Sequence, residues 1–314
     1  MKVGSAFLTA SCLATGLHAA NFTNPLKRPL GSDPHIVYVD GFYYLTTTTY
    51  ENIQITRATT LEGLKTGENK VIWTPDDPSR SCDLWAPEMH QVDGVRDMWQ
   101  LLRQPESTSG ASPWDDYQFL ATLTPNEFGI DGTVLTLNNQ NYFVWSCITS
   151  DLQGLCIATL DTPGSIGPRH ELSIPLESWE VDGFGVNEGP APLYHDGKTF
   201  LAFSASYCGT ASYQLGLLTY EGGDPLEKSS WTKTGPLFSS ANGNYGTAHN
   251  GFFNSPDGTE IWNVYHATSI SSGHCGRERY TMARSVAWDA DGQPIFGQAE
   301  TLGTQLVGPS GEPA

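Results

Sequence analysis

A strand–turn–strand unit recurs along this chain, and it leaves little freedom in the choice of fold. Ile36-Val37-Tyr38-Val39 runs through Asp40-Gly41 into Phe42-Tyr43-Tyr44-Leu45. Two β-rich runs around Asp-Gly signal a hairpin, because the turn needs residues that tolerate positive φ. A third run at 53–58 and then Val71-Ile72-Trp73 complete one period. The period returns at 134–158, 191–218 and 251–287, with an aromatic second strand each time: Tyr142-Phe143-Val144-Trp145, Phe200-Leu201-Ala202-Phe203 and Trp262-Asn263-Val264-Tyr265. Short strands repeating every 45 to 60 residues or so predict an all-β, five-bladed β-propeller.

The second unit departs from the pattern. Trp85-Ala86-Pro87-Glu88-Met89-His90 opens it normally, but 95–106 lacks alternation and carries Arg96 and Arg103. That stretch is too short for two ordinary strands and a loop, so the second blade is expected to be truncated or irregular. Either the blade is reduced or the gene model has lost residues. The regular pattern resumes at Ser107.

Residues 1–20 have the form of a secretory leader: Lys2, a short apolar run and the small-residue site Leu17-His18-Ala19. The run is too short to span a bilayer. Residues 21–314 then form one domain, since no linker or composition break divides them. Asn21-Phe22-Thr23 is a glycosylation sequon. A formal charge of -18 argues against nucleic acid or an anionic membrane as partner. The expected location is extracellular, and the expected state is monomeric.

Of six cysteines, Cys12 leaves with the leader, and an odd number remains in an oxidising compartment. Cys147 and Cys156 flank a short turn and are placed to bridge one hairpin. Cys208 and Cys275 follow equivalent strands of consecutive units and are placed to bridge two loops. Cys82 is left over. The spacings match no zinc site.

The innermost strands of a propeller line its central channel, and their starts crowd one mouth of it. The five openings carry Asp33, Glu88, Asp131, Glu188 and His249. Glu188 stands in Val186-Asn187-Glu188-Gly189-Pro190, where glycine permits close approach and proline fixes its angle. Taken singly, Asp33-Pro34 and Asp131-Gly132 are ordinary turn pairs, and Glu188 is an acidic residue opening a strand. Drawn into one funnel, like charges raise one another's pKa, which costs stability unless a site uses it. Glycoside hydrolysis uses it, pairing a protonated acid with a carboxylate base or nucleophile. Carboxylates on different blades can stand roughly 6.5 to 9.5 Å apart, which admits the water of an inverting reaction. A third carboxylate can raise and orient the acid.

At these residues the chain resembles glycoside hydrolase family 43, most closely its exo-acting α-L-arabinofuranosidases. The matching pieces are Asn24-Pro25-Leu26, Asp33-Pro34, Tyr38-Val39-Asp40-Gly41-Phe42-Tyr43-Tyr44-Leu45, Trp85-Ala86-Pro87-Glu88, Ile130-Asp131-Gly132-Thr133, Asn187-Glu188-Gly189-Pro190-Ala191, His249-Asn250 and Tyr265-His266-Ala267. Gly63-Leu64 and Trp288-Asp289-Ala290-Asp291-Gly292 add to them. The resemblance implies a five-bladed propeller and inversion. It matches Asp33 to the general base, Glu188 to the general acid and Asp131 to the residue that tunes and orients that acid. It matches His249 to a channel histidine that in some members contacts a cation or its waters. No cofactor is required, and a channel-bound calcium or other cation is compatible with the family.

The resemblance also implies an arginine of the last blade that reaches the sugar or a carboxylate. Arg279 fits best by spacing, with Arg277 and Arg284 as rivals, and any of the three could be a rim charge. Trp85 either lines the sugar pocket or packs between blades. Glu88 matches no catalytic residue of the family and is read as structural. The implied substrate is a plant cell-wall polysaccharide or arabino-oligosaccharide bearing terminal α-L-arabinofuranose. The alternatives are β-xylosidase or endo-arabinanase action on the same fold, or a carbohydrate-binding propeller without turnover.

Overall fold

The computed structural model describes residues 20–77, 84–92, 99–103, 106–124 and 127–313. The expectations for the leader and for Cys82 fall outside them. Almost all regular structure is strand, arranged as consecutive antiparallel sheets in which each strand pairs with the next. The first sheet runs His35–Val39, Phe42–Thr46, Ile53–Ala58 and Glu68–Trp73. The third begins with the long strands Gly129–Leu137, Gln140–Thr149 and Leu152–Thr162. The fourth runs Asn187–His195, Lys198–Ala205, Gln214–Tyr220 and Trp231–Phe238. The last contains Tyr245–Asn254, Ile261–Thr268 and Tyr280–Ser285.

The second sheet is more complete than its sequence predicts. Glu88–Gln91, Trp99–Arg103, Glu106–Gly110 and Gln118–Thr122 pair in order. Within 95–106 lies one strand, Trp99–Arg103, and the next begins at Glu106 and runs on to Gly110. Arg103 pairs with Glu106 at the hairpin end, so the connection costs almost no chain. The second sheet is thus shortened in length, with its strand order intact.

Neighbouring sheets pack face to face, and each interface has its own apolar core. Tyr44, Ile55 and Trp73 of the first sheet meet Met89 and Tyr117 of the second. Val92 and Leu123 meet Val134, Phe143 and Trp145; Leu135 and Ile157 meet Leu201 and Phe203. Phe200 and Leu217 meet Tyr265 and Met282. Phe253, Trp262 and Ala283 of the last sheet return to Ile36, Tyr43 and Leu45 of the first. This radial packing is a β-propeller arrangement. Alternation on the strands accounts for it, since each blade is buried on both faces and its aromatic strands fill the wedge between neighbours.

The chain termini help close the ring. Asn21–Thr23 pairs with Gln305–Val307. The N-terminal segment then runs beside the last sheet, where Lys27 bridges Thr281 and the Asn24 side chain accepts from Ala283 N–H at 3.0 Å. Cys147 is joined to Cys156 across a hairpin, and Cys208 is joined to Cys275 between two loops.

Candidate active site

One residue near the start of each innermost strand sits in the left-handed region: Asp33 (φ 53°), Ala86 (43°), Asp131 (55°), Gly189 (54°) and His249 (43°). Side chains rarely take this conformation without compensation, and such outliers gather at functional sites. The ladder breaks there too, with register shifts between Ile130 and Thr133, Glu188 and Ala191, and Ala248 and Gly251. A bulge re-aims the residue that it carries. At Asp131 and His249 it turns the side chain toward a common point, which Asp33 reaches from just ahead of its strand.

The same register corrects the alignment of the openings. The counterpart of Asp33 in the second sheet is Ala86, and Glu88 lies two residues deeper. There it sits 2.8 Å from His90 Nε2 and 3.9 Å from His35 Nδ1. Glu88 lines a cavity of about 720 Å³ with His35, Thr133, Ala191 and Gly251, all two residues past the left-handed positions. Glu188 stands one residue before its left-handed neighbour. In the second sheet that place belongs to the half-buried Trp85.

Asp33 is buried and heavily partnered. Its Oδ1 lies 3.0 Å from Arg279 Nη1, 3.4 Å from His249 Nδ1 and 3.3 Å from His266 Nδ1. Thr48 Oγ1 donates to Oδ2 at 2.5 Å and itself accepts from Ala86 N–H at 2.8 Å. Burial alone would raise the Asp33 pKa, but the Arg279 guanidinium, helped by His249 and His266, holds it well below the usual range. His266 Nδ1 also accepts from the Asp33 backbone N–H at 3.1 Å. Burial and the nearby guanidinium lower His266 to about 3, so the ring is neutral.

Asp131 and Glu188 are shifted the other way. Asp131 Oδ2 accepts from Gly189 N–H at 3.1 Å and lies 4.0 Å from His249 Nδ1. Burial raises the Asp131 pKa; His249 opposes this, while Glu188 and Asp33 add to it. Glu188 Oε1 accepts from Tyr213 OH at 2.9 Å, and Oε2 accepts from Gln153 Nε2 at 2.8 Å. Burial raises Glu188 as well, with Tyr213 and Gln153 opposing and Asp33 adding. Tyr213 is pushed well above its ordinary value by burial and by Glu188, so its phenol stays a donor. The pair Asp131 and Glu188 therefore keeps a proton where isolated carboxyls have lost theirs.

Gly189 makes the close packing possible. A Cβ there would stand 3.1 Å from the His249 ring, at a φ that favours glycine. His249 N–H donates to Ser204 Oγ at 2.8 Å, and Ser204 pairs with Glu188 across the ladder.

Asp33, Asp131, Glu188, His249 and Arg279 thus form one cluster. Of the rival arginines, Arg277 lies on the rim over Tyr50, and Arg284 donates to Gln298 O away from the cluster. Thr48, Gln153, Tyr213 and His266 complete the site and were not singled out from the sequence. His266 follows Tyr265 in a motif that resembles the family's, and Thr48 lies in the run 46–49, four threonines at the end of an aromatic strand. Those were the available signals. Tyr213 and Gln153 carried none beyond lying in or beside strands. Among the described residues, no three His, Cys, Asp or Glu side chains form a metal-holding group.

A sequence model of the glycosyl hydrolases family 43 matches residues 22–294. The chain belongs to that family. As a family 43 member it has relatives in both bacteria and fungi. It is 36% identical to an extracellular exo-alpha-(1->5)-L-arabinofuranosidase of Streptomyces avermitilis, over 92% of this chain and 66% of the relative. It is 34% identical to alpha-L-arabinofuranosidase 43 of Humicola insolens, with the same coverage. The chain thus spans just under two thirds of the length of these two relatives. A crystal structure of alpha-L-arabinofuranosidase from Lactobacillus brevis superposes with a TM-score of 0.82 at 29% identity, covering 90% of this chain and 98% of that one.

Proposed function

We propose that this chain is an inverting exo-glycosidase that releases terminal α-L-arabinofuranosyl residues from arabinan or arabinoxylan. The observation that carries it is the opposed electrostatics of the cluster. Arg279 keeps Asp33 ionised, while burial and mutual repulsion leave a proton on the pair formed by Asp131 and Glu188. A base and an acid with pKa values pushed apart are what the reaction needs.

In this reading Asp33 takes a proton from a water whose oxygen attacks the anomeric carbon. Glu188 gives its proton to the glycosidic oxygen as the C–O bond breaks, and that oxygen keeps the bonding pair. Asp131 tunes and orients Glu188, Arg279 holds Asp33, His249 floors the sugar site and Trp85 lines it. The names of the Streptomyces avermitilis and Humicola insolens relatives support arabinofuranose as the sugar. Residues 21–314 act as one domain of five blades behind a removed leader at 1–20, as a secreted monomer. A cation in the channel near His249 is compatible with the reading, and no step is assigned to it.

The test uses purified protein and Glu188→Gln on aryl α-L-arabinofuranoside, aryl β-xyloside and linear arabinan, with product anomers followed by NMR. The expected result is β-arabinofuranose appearing first, with arabinan turnover by Glu188→Gln lower by roughly 10²- to 10⁴-fold. Faster xyloside cleavage or internal cuts in arabinan would redirect the reading to β-xylosidase or endo-arabinanase. Absence of release from all three would overturn it.

A further inference from the structure

The segment that leads into Glu188 exposes several apolar side chains, and one of them meets a ring of the adjoining loop. Leu176 is 70% exposed, Val181 47% and Phe184 66%, and Tyr207, on the adjoining loop, is 40% exposed. Single exposed apolar residues are ordinary, but a cluster beside a site marks a surface that is covered in use. Phe184 and Tyr207 meet edge to face, with ring centroids 5.2 Å apart.

These rings are held in place. Asp182 N–H donates to Ser206 Oγ, and Tyr207 N–H donates to Asp182 O at 3.0 Å. Glu180, fully buried, is paired with Lys233 at 2.8 Å and accepts from Asn187 Nδ2 at 2.9 Å, which ties the segment to the residue beside the acid. Gly183 at φ 78° lets the chain pass over Tyr207; a Cβ there would come within 2.9 Å of the Tyr207 Cβ. Ser206 accepts a φ of 70°, a conformation that serine rarely takes. An apolar surface built on strained, hydrogen-bonded backbone is preorganised for a ligand.

Its position says which ligand. Ser206 N–H donates to Val186 O, two residues before Glu188, and the loop that carries Tyr207 ends at Tyr213, which donates to Glu188. The acid must reach the glycosidic oxygen, so the leaving group is the part of the substrate nearest to it. We infer that Phe184 and Tyr207 form a stacking platform for the leaving-group side of a neutral pentose chain, so that the protein prefers oligomeric over simple aryl substrates. This rests on the glycosidase function proposed above.

The test compares kcat/KM on α-1,5-arabinotriose with that on aryl α-L-arabinofuranoside, for the full chain and for Phe184→Ala, Tyr207→Ala and Phe184→Tyr. The ratio should fall at least tenfold in both alanine variants, chiefly through KM, and recover in Phe184→Tyr. Val307→Ala, which removes a side chain 68% exposed on the strand that pairs with the N-terminal one, should leave the ratio alone. An unchanged ratio in both alanine variants would overturn the platform, and so would a fall on both substrates alike. Retardation in gels containing linear arabinan gives a readout that needs no turnover. If the parent protein is retarded and Phe184→Ala is not, the platform stands even where hydrolysis fails; equal retardation rejects it.

Discussion

Arg279 Nη1 lies 3.0 Å from Asp33 Oδ1, joining the last sheet to the first across 246 residues of chain. Both side chains are buried, so the pair is unscreened and neither charge has water to fall back on. Removing one partner leaves the other stranded. Arg279→Met should cost about 3 to 5 kcal/mol in denaturant unfolding at neutral pH. The sign with pH follows from the depressed Asp33 value. Its contribution is complete above the unfolded carboxylate range, near 4 or so, and is lost as pH falls through the folded value. The stability gap between parent and variant should therefore narrow on acidification. In activity, the acid limb of kcat/KM should move to higher pH as Asp33 loses its counter-charge.

The upward shifts of Asp131 and Glu188 act in the opposite direction. Asp131 is raised to about 7, first by burial and then by its carboxylate neighbours. Carboxyls that bind protons more tightly folded than unfolded remove stability as pH rises from the unfolded range, about 4, towards the folded value. Asp131→Asn should flatten that loss in a pH series of chemical denaturation. It should also lower the pKa of Glu188, because a like charge has gone, and draw the basic limb of kcat/KM to lower pH. An unmoved basic limb would remove Asp131 from the tuning role.

Tyr213→Phe separates hydrogen bonding from charge at the same carboxyl. The phenol donates to Glu188 Oε1 at 2.9 Å and favours the ionised form. Its loss should raise the Glu188 pKa and move the basic limb up, opposite to Asp131→Asn, with a fall in kcat of about tenfold for a group oriented by one fewer bond.

Much of this site was legible in the chain, because propeller repeats put chemistry at predictable places. Asp33, Asp131 and His249 were found as repeat openings, and the structure gives them equivalent left-handed positions. Glu88 was aligned with them wrongly. Its tetrapeptide Trp85-Ala86-Pro87-Glu88 carries the left-handed residue at Ala86, whose side chain has no chemistry to flag it. Tyr213 reaches Glu188 from two strands away in the same sheet, just before Gln214–Tyr220, and Gln153 reaches it from the neighbouring sheet. No local pattern encodes that. In the second sheet the third strand begins only at Glu106, so 95–106 has to hold one five-residue strand and not two.

Gly189→Ala tests whether close packing at the bulge matters. The new methyl would meet the His249 ring at 3.1 Å, and φ at 54° disfavours any side chain. The expected cost is about 1 to 3 kcal/mol in stability. Because Gly189 N–H also donates to Asp131, kcat/KM should fall more than the stability change alone explains. Thermal unfolding and kinetics on one preparation would separate the two effects, and full activity in a correctly folded variant would contradict the packing argument.

The disulfide between Cys208 and Cys275 should matter to catalysis in a way that the other does not. Cys208 lies on the loop that ends at Tyr213, the donor to Glu188; Cys275 lies on the loop that ends at Arg279, the partner of Asp33. The bridge therefore ties the support of the acid to the support of the base. Cys147 and Cys156 join strands already paired in one hairpin, buried within a blade interface. Closing a separation of 67 residues restricts the unfolded chain more than closing one of 9, and loops of these sizes correspond to contributions of about 4 and about 3 kcal/mol. Replacing Cys208 and Cys275 with serine should lower kcat and broaden the pH profile at temperatures well below unfolding, as both supports loosen. The equivalent change at Cys147 and Cys156 should lower the melting temperature while leaving the pH profile in place. Equal effects of the two replacements on the pH profile would show that the mouth loops hold their geometry without the bridge.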